Sequence, residues 1–266
     1  MKRVIVTPAG RKCYLKILVK YLEKQKYSFD EWHLWENTRN IDDYNYLMYL
    51  EKNYDFIKII KRNIPENFKG RNEGITWFWD YPNDENTYYI RLDDDIVYLE
   101  DNFINNLIEF RKNNKNYSIV YANIVNNNII DHIHQRLGAL VLDTNINYKC
   151  MGNSWQSKSI PIEIHKQFIE SIKNNNLNKW KFNKWILNEY ERISINALCW
   201  KGGDLNNFKE IIEYGLEEEP WISESFSKIY KKSGIICGNA LCAHAGFAPQ
   251  RTPDLELLIQ EYDKYV

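Results

Sequence analysis

The chain has 266 residues, a formal net charge of −1, 44% hydrophobic and 15% aromatic residues. That length can bury the core of one large domain, and the near-zero charge argues against nucleic acid or an anionic membrane as a partner held by net charge. Five cysteines fit no CxxC or zinc spacing, the opening MKRVIVTPAGRK lacks the apolar run of a signal peptide, and no stretch is long enough to span a bilayer. A soluble, cytoplasmic protein with reduced thiols is therefore expected.

In chain order, residues 4–6 form a short β-branched run stopped by Thr7-Pro8-Ala9-Gly10, and 13–24 carry Leu15, Leu18, Val19 and Leu22 at helical spacing. A strand, a Pro/Gly turn and a helix suggest a Rossmann-like start, but no GxGxxG or GxxxxGK[ST] is present. Strands are predicted at 32–35 and 56–60 with a helix at 44–53 between them, then a polar loop at 70–74 and a segment at 75–81. Beyond the central strand come a helix at 101–112, a strand at 117–123, an Asn-rich turn at 126–128 and an apolar piece at 137–142 that reads as a strand. A helix is expected at 162–172. The stretch 178–185, NKWKFNKW, reads as a helix with its tryptophans inward in preference to an acceptor- or membrane-facing surface. Strands at 193–200 and 235–242 frame a Lys-Gly-Gly-Asp turn, the run Glu217-Glu218-Glu219-Pro220-Trp221 and a helix to Tyr230. No linker breaks this order, so we expect one α/β domain, with residues 1–100 as a nucleotide-binding half and 101–266 as an acceptor-binding half.

The chemistry centres on YYIRLDDDIVYL, residues 88–99, where an apolar strand runs into Asp93, Asp94 and Asp95. Open α/β sheets place ligands at the carboxyl ends of their strands. Asp93 and Asp95 share a face in extended geometry and repel each other unless something cationic lies between them. Hard divalent ions such as Mn²⁺ or Mg²⁺ suit paired carboxylates and leave room for substrate phosphates. A solvated acidic turn is the simpler alternative. The histidines of DHIHQR, His132 and His134, would sit alternately on a strand but lack the further ligands that zinc needs.

A late tract in the order W-x-G-G, E-E-x-W, then a strand ending in H-x-x-F and Q-R accompanies the DDD. Together these motifs resemble nucleotide-sugar glycosyltransferases of the GT-A fold, broadly those of glycosyltransferase family 2. The resemblance implies a single domain with a mixed, mostly parallel sheet flanked by helices. It implies a D-x-D, Asp93 and Asp95, holding Mn²⁺ or Mg²⁺ on the donor diphosphate, with His244 completing the shell. It implies an acidic base for inverting transfer at Glu218 or Glu219, and a glycan or glycoconjugate acceptor near Trp200, Gly203, Asp204 and Trp221. Thr7, Arg11, Glu36, Arg71, Asn72 and Asp94 occupy positions where such enzymes hold the nucleotide sugar.

Two rival readings remain from the sequence. DDDIV also satisfies the D-x-D-x-[TV] of a HAD-like phosphohydrolase, with Asp93 as nucleophile and Asp95 as acid/base, although that motif normally opens its domain. A non-catalytic carbohydrate-binding protein accounts for the aromatics but not for the acids.

Overall fold

The computed structural model describes residues 1–117, 119–205 and 217–266; Ser118, inside the strand expected at 117–123, lies outside them. Nine strands form one sheet: β1 Lys2–Ala9, β2 Glu31–Glu36, β3 Ile57–Ile60, β4 Thr87–Leu92, β5 Ile96–Leu99, β6 Val120–Val125, β7 Lys184–Ile186, β8 Ala197–Lys201 and β9 Ile235–His244. Their order is β3-β2-β1-β4-β8-β6-β9-β5, and β7 pairs with β9. The pairs among β1 to β4 are parallel, β8 lies antiparallel between β4 and β6, and β9 is parallel to β6. β5 and β7 run antiparallel to β9. Six strands thus point one way and β5, β7 and β8 the other, which is the mixed, mostly parallel α/β sheet that the sequence led us to expect.

Helices cover both faces because a parallel sheet must bury both. They are α1 Lys12–Lys24, α2 Ile41–Asn53, α3 Phe103–Asn113, α4 Asn128–Arg136, α5 Ile160–Lys173 and α6 Pro253–Ile259. The stripe Leu15, Leu18, Val19 and Leu22 of α1 is buried, and this helix packs on β5, while α3 packs on β8 and β9. Asn40 caps α2: its Oδ1 accepts from the backbone N–H of Asp42 at 2.8 Å and of Asp43 at 3.2 Å, as Asn at an N-cap does. All six residues of β4 are buried, Arg91 among them. Trp200 stacks on Tyr89 at 5.4 Å and tilts against Trp79 at 5.3 Å. Among the described residues, no helix is long and apolar enough to cross a membrane.

Several local expectations are corrected. Residues 137–142 are turn and loop rather than strand, because Gly138 adopts φ +77° and ends α4. His132 and His134 lie on that helix, not on a strand. His134 is buried, 2.8 Å from Asn123 Oδ1 and edge-on to Trp180, so its role is packing. The 178–185 stretch is a 3₁₀ turn followed by β7, with Trp180 fully buried as the packing alternative requires.

At the opposite edge from the acids, Glu31 starts β2 and pairs with Lys2 at 2.7 Å, His33 at 2.8 Å and Lys58. Burial raises its carboxyl, but the hydrogen bonds from Lys2, Lys58 and His33 outweigh that and bring it down to about 2. A carboxyl depressed by folding stabilises the native state above its unfolded value and loses that contribution as pH falls towards the folded value. The stability difference between the wild type and Glu31→Gln, measured by urea unfolding, should therefore be largest at pH 6. It should shrink progressively between about pH 5 and pH 2.

Candidate active site

The parallel strands β1, β4, β6 and β9 end at one edge, so the turns that follow them meet. After β4 the chain makes the turn Asp93-Asp94-Asp95 before entering β5. Backbone bonds pin the turn on both sides: Asp93 N–H donates to Asn196 C=O at 2.8 Å, and Ala245 N–H donates to Asp95 C=O at 2.8 Å. Buried carboxylates are costly unless paired, and each of these faces at least one cation, with Arg11 shared between Asp94 and Asp95. Asp94 accepts from the Gly10 N–H at 2.9 Å and from Arg11 Nε at 2.8 Å, with a second, closer contact to Arg11 Nη2. Asp95 Oδ2 faces Arg11 Nη1 at 2.8 Å, His244 Nε2 at 3.2 Å and Arg251 Nη2 at 3.3 Å. Asp93 accepts from Arg91 Nη2 at 2.8 Å and from Asn196 Nδ2 at 3.1 Å.

These partners pull the three acids apart. Burial raises Asp93, and Asp95 and Glu218 add to it against Arg91. Burial likewise raises Asp94, opposed by Arg11. At Asp95 burial is outweighed by Arg11, His244 and Arg251 together, which hold it well below the usual carboxylate range. Asp95 is therefore the carboxylate kept ionised, and its Oδ1 is buried without a hydrogen-bond partner.

The glutamates also divide. Glu218 opens the helical turn Glu218–Pro220 and is 7% exposed. It accepts from Trp79 Nε1 at 2.5 Å and Arg91 Nη2 at 2.8 Å, so both oxygens are engaged. Burial raises it, against Arg91 and Trp79. Glu219, on the next position of the turn, meets Arg192 at 2.8 Å and keeps 26% of its side chain exposed.

A cleft of about 710 Å³ gathers these groups: Asp93 to Asp95, Glu217 to Glu219 and His244, with Arg11, Arg39, Arg71, Arg91, Arg192 and Arg251. Asn72 also lines it, as do Asn37 and Thr38 after β2, and Trp155 and Phe247. Of the expected residues, Asp93, Asp94, Asp95, His244, Arg11, Arg71, Asn72, Glu218 and Glu219 come together here. The others do not. Thr7 is fully buried within β1, where its hydroxyl accepts from Trp32 Nε1 at 2.9 Å. Glu36 is buried at the end of β2 with Lys69 at 3.7 Å, outside the cleft lining. Trp200 and Trp221 are buried in the core, and Asp204 pairs with Arg111 at 2.5 Å. The Gly-Gly turn serves the chain itself: a Cβ on Gly202 would lie 1.9 Å from the Asp84 carbonyl, and Gly203 has φ +84°.

Sequence reasoning passed over Arg91, Arg192 and Asn196, and noted Arg251 in the Q-R motif without giving it a role. Only the neighbouring acids hinted at Arg91, which stands two residues before Asp93 on the same face of the strand.

The residues can be tested against a divalent ion. His244 Nδ1 lies 3.2 Å from the Asn126 carbonyl, a contact that needs the proton on Nδ1. Nε2 is then left facing the Asp95 carboxylate, a pair that repels unless a proton or a cation lies between. A backbone carbonyl orienting an imidazole in this way is the usual support of a metal-ligating histidine. With the orphan oxygen of Asp95, the chemistry of the set fits Mn²⁺ or Mg²⁺. In the present arrangement Arg11 spans Asp94 and Asp95, and among the described residues no three His, Cys, Asp or Glu side chains are grouped closely enough to hold an ion.

No family model matches the chain, and no curated protein matches it by sequence. Among solved structures it is similar to 2-C-methyl-D-erythritol 4-phosphate cytidylyltransferase of Francisella tularensis, 12% identical over 97% of this chain and 98% of that one, TM-score 0.48. It is also similar to CMP:2-keto-3-deoxy-manno-octonic acid synthetase complexed with CTP, 14% identical over 98% and 100% of the two chains, TM-score 0.48. A third similar structure is 4-diphosphocytidyl-2C-methyl-D-erythritol synthase of Anaerococcus prevotii, 12% identical over 100% and 97%, TM-score 0.44.

Arg91 is 3% exposed and bonded to both Asp93 and Glu218. Removing one partner of such a buried set leaves its carboxylates uncompensated, at a cost of about 3–5 kcal/mol. Arg91→Met should lose that much stability in urea unfolding, and the double variant Arg91→Met/Glu218→Gln should recover part of it.

Proposed function

We propose that this chain is a nucleotide-sugar glycosyltransferase, moving a sugar from a nucleoside-diphosphate donor to an acceptor hydroxyl. One observation carries the proposal: six carboxylates, an imidazole and six arginines converge at the carboxyl edge of a mostly parallel sheet, in a cleft of about 710 Å³. That volume lies within the range of small-molecule and cofactor sites, and the arrangement agrees with the motif resemblance to glycosyltransferase family 2. The diphosphate lies over Asp95, where Arg11 and Arg251 supply positive charge. Asn37, Thr38, Arg39, Arg71 and Asn72 form the wall for base and ribose. A divalent ion on Asp93, Asp95 and His244, when bound, would neutralise the leaving diphosphate as a Lewis acid. Arg11 must release Asp95 to admit such a complex, and its guanidinium is then free to pair with a phosphate.

Glu219 is the general base for the acceptor hydroxyl. It lines the cleft with part of its side chain exposed, whereas Glu218 is bound on both oxygens and supports Arg91 and Trp79. The Trp155 ring, which lines the cleft beside Phe247 at 6.0 Å, offers the apolar platform that aromatic residues provide to a sugar ring.

The test is product analysis with a panel of UDP-, GDP-, CDP- and dTDP-sugars and MnCl₂, by chromatography with and without sugar acceptors. Release of the nucleoside diphosphate from one donor supports the proposal. Cleavage of simple phosphoesters alone would replace it with the phosphohydrolase reading. Pyrophosphate released from CTP in the presence of a sugar phosphate or sugar acid would replace it with nucleotidyl transfer. On the identified donor, Glu219→Gln should lower turnover by about 10²–10⁴-fold with donor binding retained, while Glu218→Gln should act mainly through stability.

A further inference from the structure

The run Asn126-Asn127-Asn128 has the composition of a surface turn, yet all three residues are at most 1% exposed. A buried carboxamide is costly unless its hydrogen bonds are satisfied, and each of the three finds partners behind the cleft. Asn128 braces a loop, with Nδ2 donating to the carbonyls of Asn147 and Lys149, both at 2.7 Å, and Oδ1 accepting from the Ser154 N–H at 2.9 Å. Asn126 donates to the carbonyls of His244 and Ala245, both at 3.3 Å, and to Gln250 Oε1 at 3.1 Å.

Asn127 has a different target. Its Nδ2 donates to Asn196 Oδ1 at 3.2 Å and to the Ser194 carbonyl at 3.3 Å. With Asn196 Oδ1 held as an acceptor, the amino end of the same carboxamide must face the other way, where it donates to Asp93 Oδ2 at 3.1 Å. The Asp93 N–H closes the contact on the Asn196 carbonyl at 2.8 Å. Without the Asn127 donor, Asn196 can rotate by half a turn and present its carbonyl oxygen to the Asp93 carboxylate, which repels it. We propose that Asn127 is a positioning residue for Asp93, acting through Asn196 by fixing which end of that carboxamide faces the acid. The proposal rests on reading the cleft as the donor and cation site, and its test separates the two.

The test compares wild type, Asn127→Ala and Asn128→Ala by three measurements. These are thermal unfolding, solvent exchange of the Asn196 side-chain amide protons by ¹H–¹⁵N NMR, and calorimetric titration with MnCl₂ alone. In Asn127→Ala the Asn196 amide protons should exchange at least about tenfold faster, and Mn²⁺ should bind about 10–100-fold more weakly, as for loss of other outer partners of a metal site. Asn128→Ala, whose side chain reaches only the neighbouring loop, should change unfolding without changing Asn196 exchange or Mn²⁺ affinity. Unchanged exchange in Asn127→Ala would overturn the proposal, and so would an equal loss of Mn²⁺ affinity in Asn128→Ala. If the wild type binds no Mn²⁺, the cation reading fails, and the Asn196 exchange then decides the positioning role in the same two directions. Should Asn127→Ala fail to fold, Asn127→Leu keeps the approximate volume, removes the donor without adding an acceptor and is expected to give the same result.

Discussion

The site depends on one constraint: acids gathered around the end of β4 are withdrawn from water and must be paired there. Asp94, Asp95 and Glu218 are each less than a tenth exposed, and a buried charge is tolerated only when it is paired and hydrogen-bonded. The answer in this chain is a set of arginines brought from distant positions. Arg11 follows β1, Arg91 lies inside β4, and Arg251 follows β9. Arg91 bonds both Asp93 and Glu218, and so joins the acids after β4 to the glutamates of the late helical turn. The result is a cleft whose floor is balanced in charge yet locally polar.

The framework was legible because it follows local rules. β-branched and aromatic runs gave the strands, the Leu15/Leu18/Val19/Leu22 spacing gave α1, and the apolar run into DDD placed the acids at a strand's carboxyl end. The misses share a cause: identical local chemistry serves two environments. Trp200 and Trp221 were read as an acceptor platform, yet aromatics of that size more often fill a core, and these are buried. Gly203 and Asp204 were placed near the acceptor, but the space that Gly202 leaves is taken by the Asp84 carbonyl and Asp204 pairs with Arg111. Asn126 to Asn128 does form the turn between β6 and α4, but its burial could not be read, because exposed and buried asparagines look alike until their partners are known.

The partners of the arginines were invisible for a different reason. Their pairing spans more than eighty residues in several cases, such as Arg11 with Asp94 and Arg91 with Glu218, and no periodicity links such positions. The separation of Glu218 from Glu219 was equally beyond reach. Consecutive residues on a helical turn point in directions about 100° apart, so one faces Arg91 and Trp79 while the next faces the cleft. Only the position of that turn against β4 decides which is which.

The central claim is that the acid cluster binds the diphosphate of a nucleotide donor, with Asp95 as its ionised centre. Calorimetric titration of UDP, GDP, CDP and dTDP with MnCl₂ into wild type and Asp95→Ala tests it most directly. The account predicts saturable binding of at least one nucleoside diphosphate to the wild type and its loss in a folded Asp95→Ala variant. Equal affinity in the two proteins, or no binding of any of the four to the wild type, would contradict it.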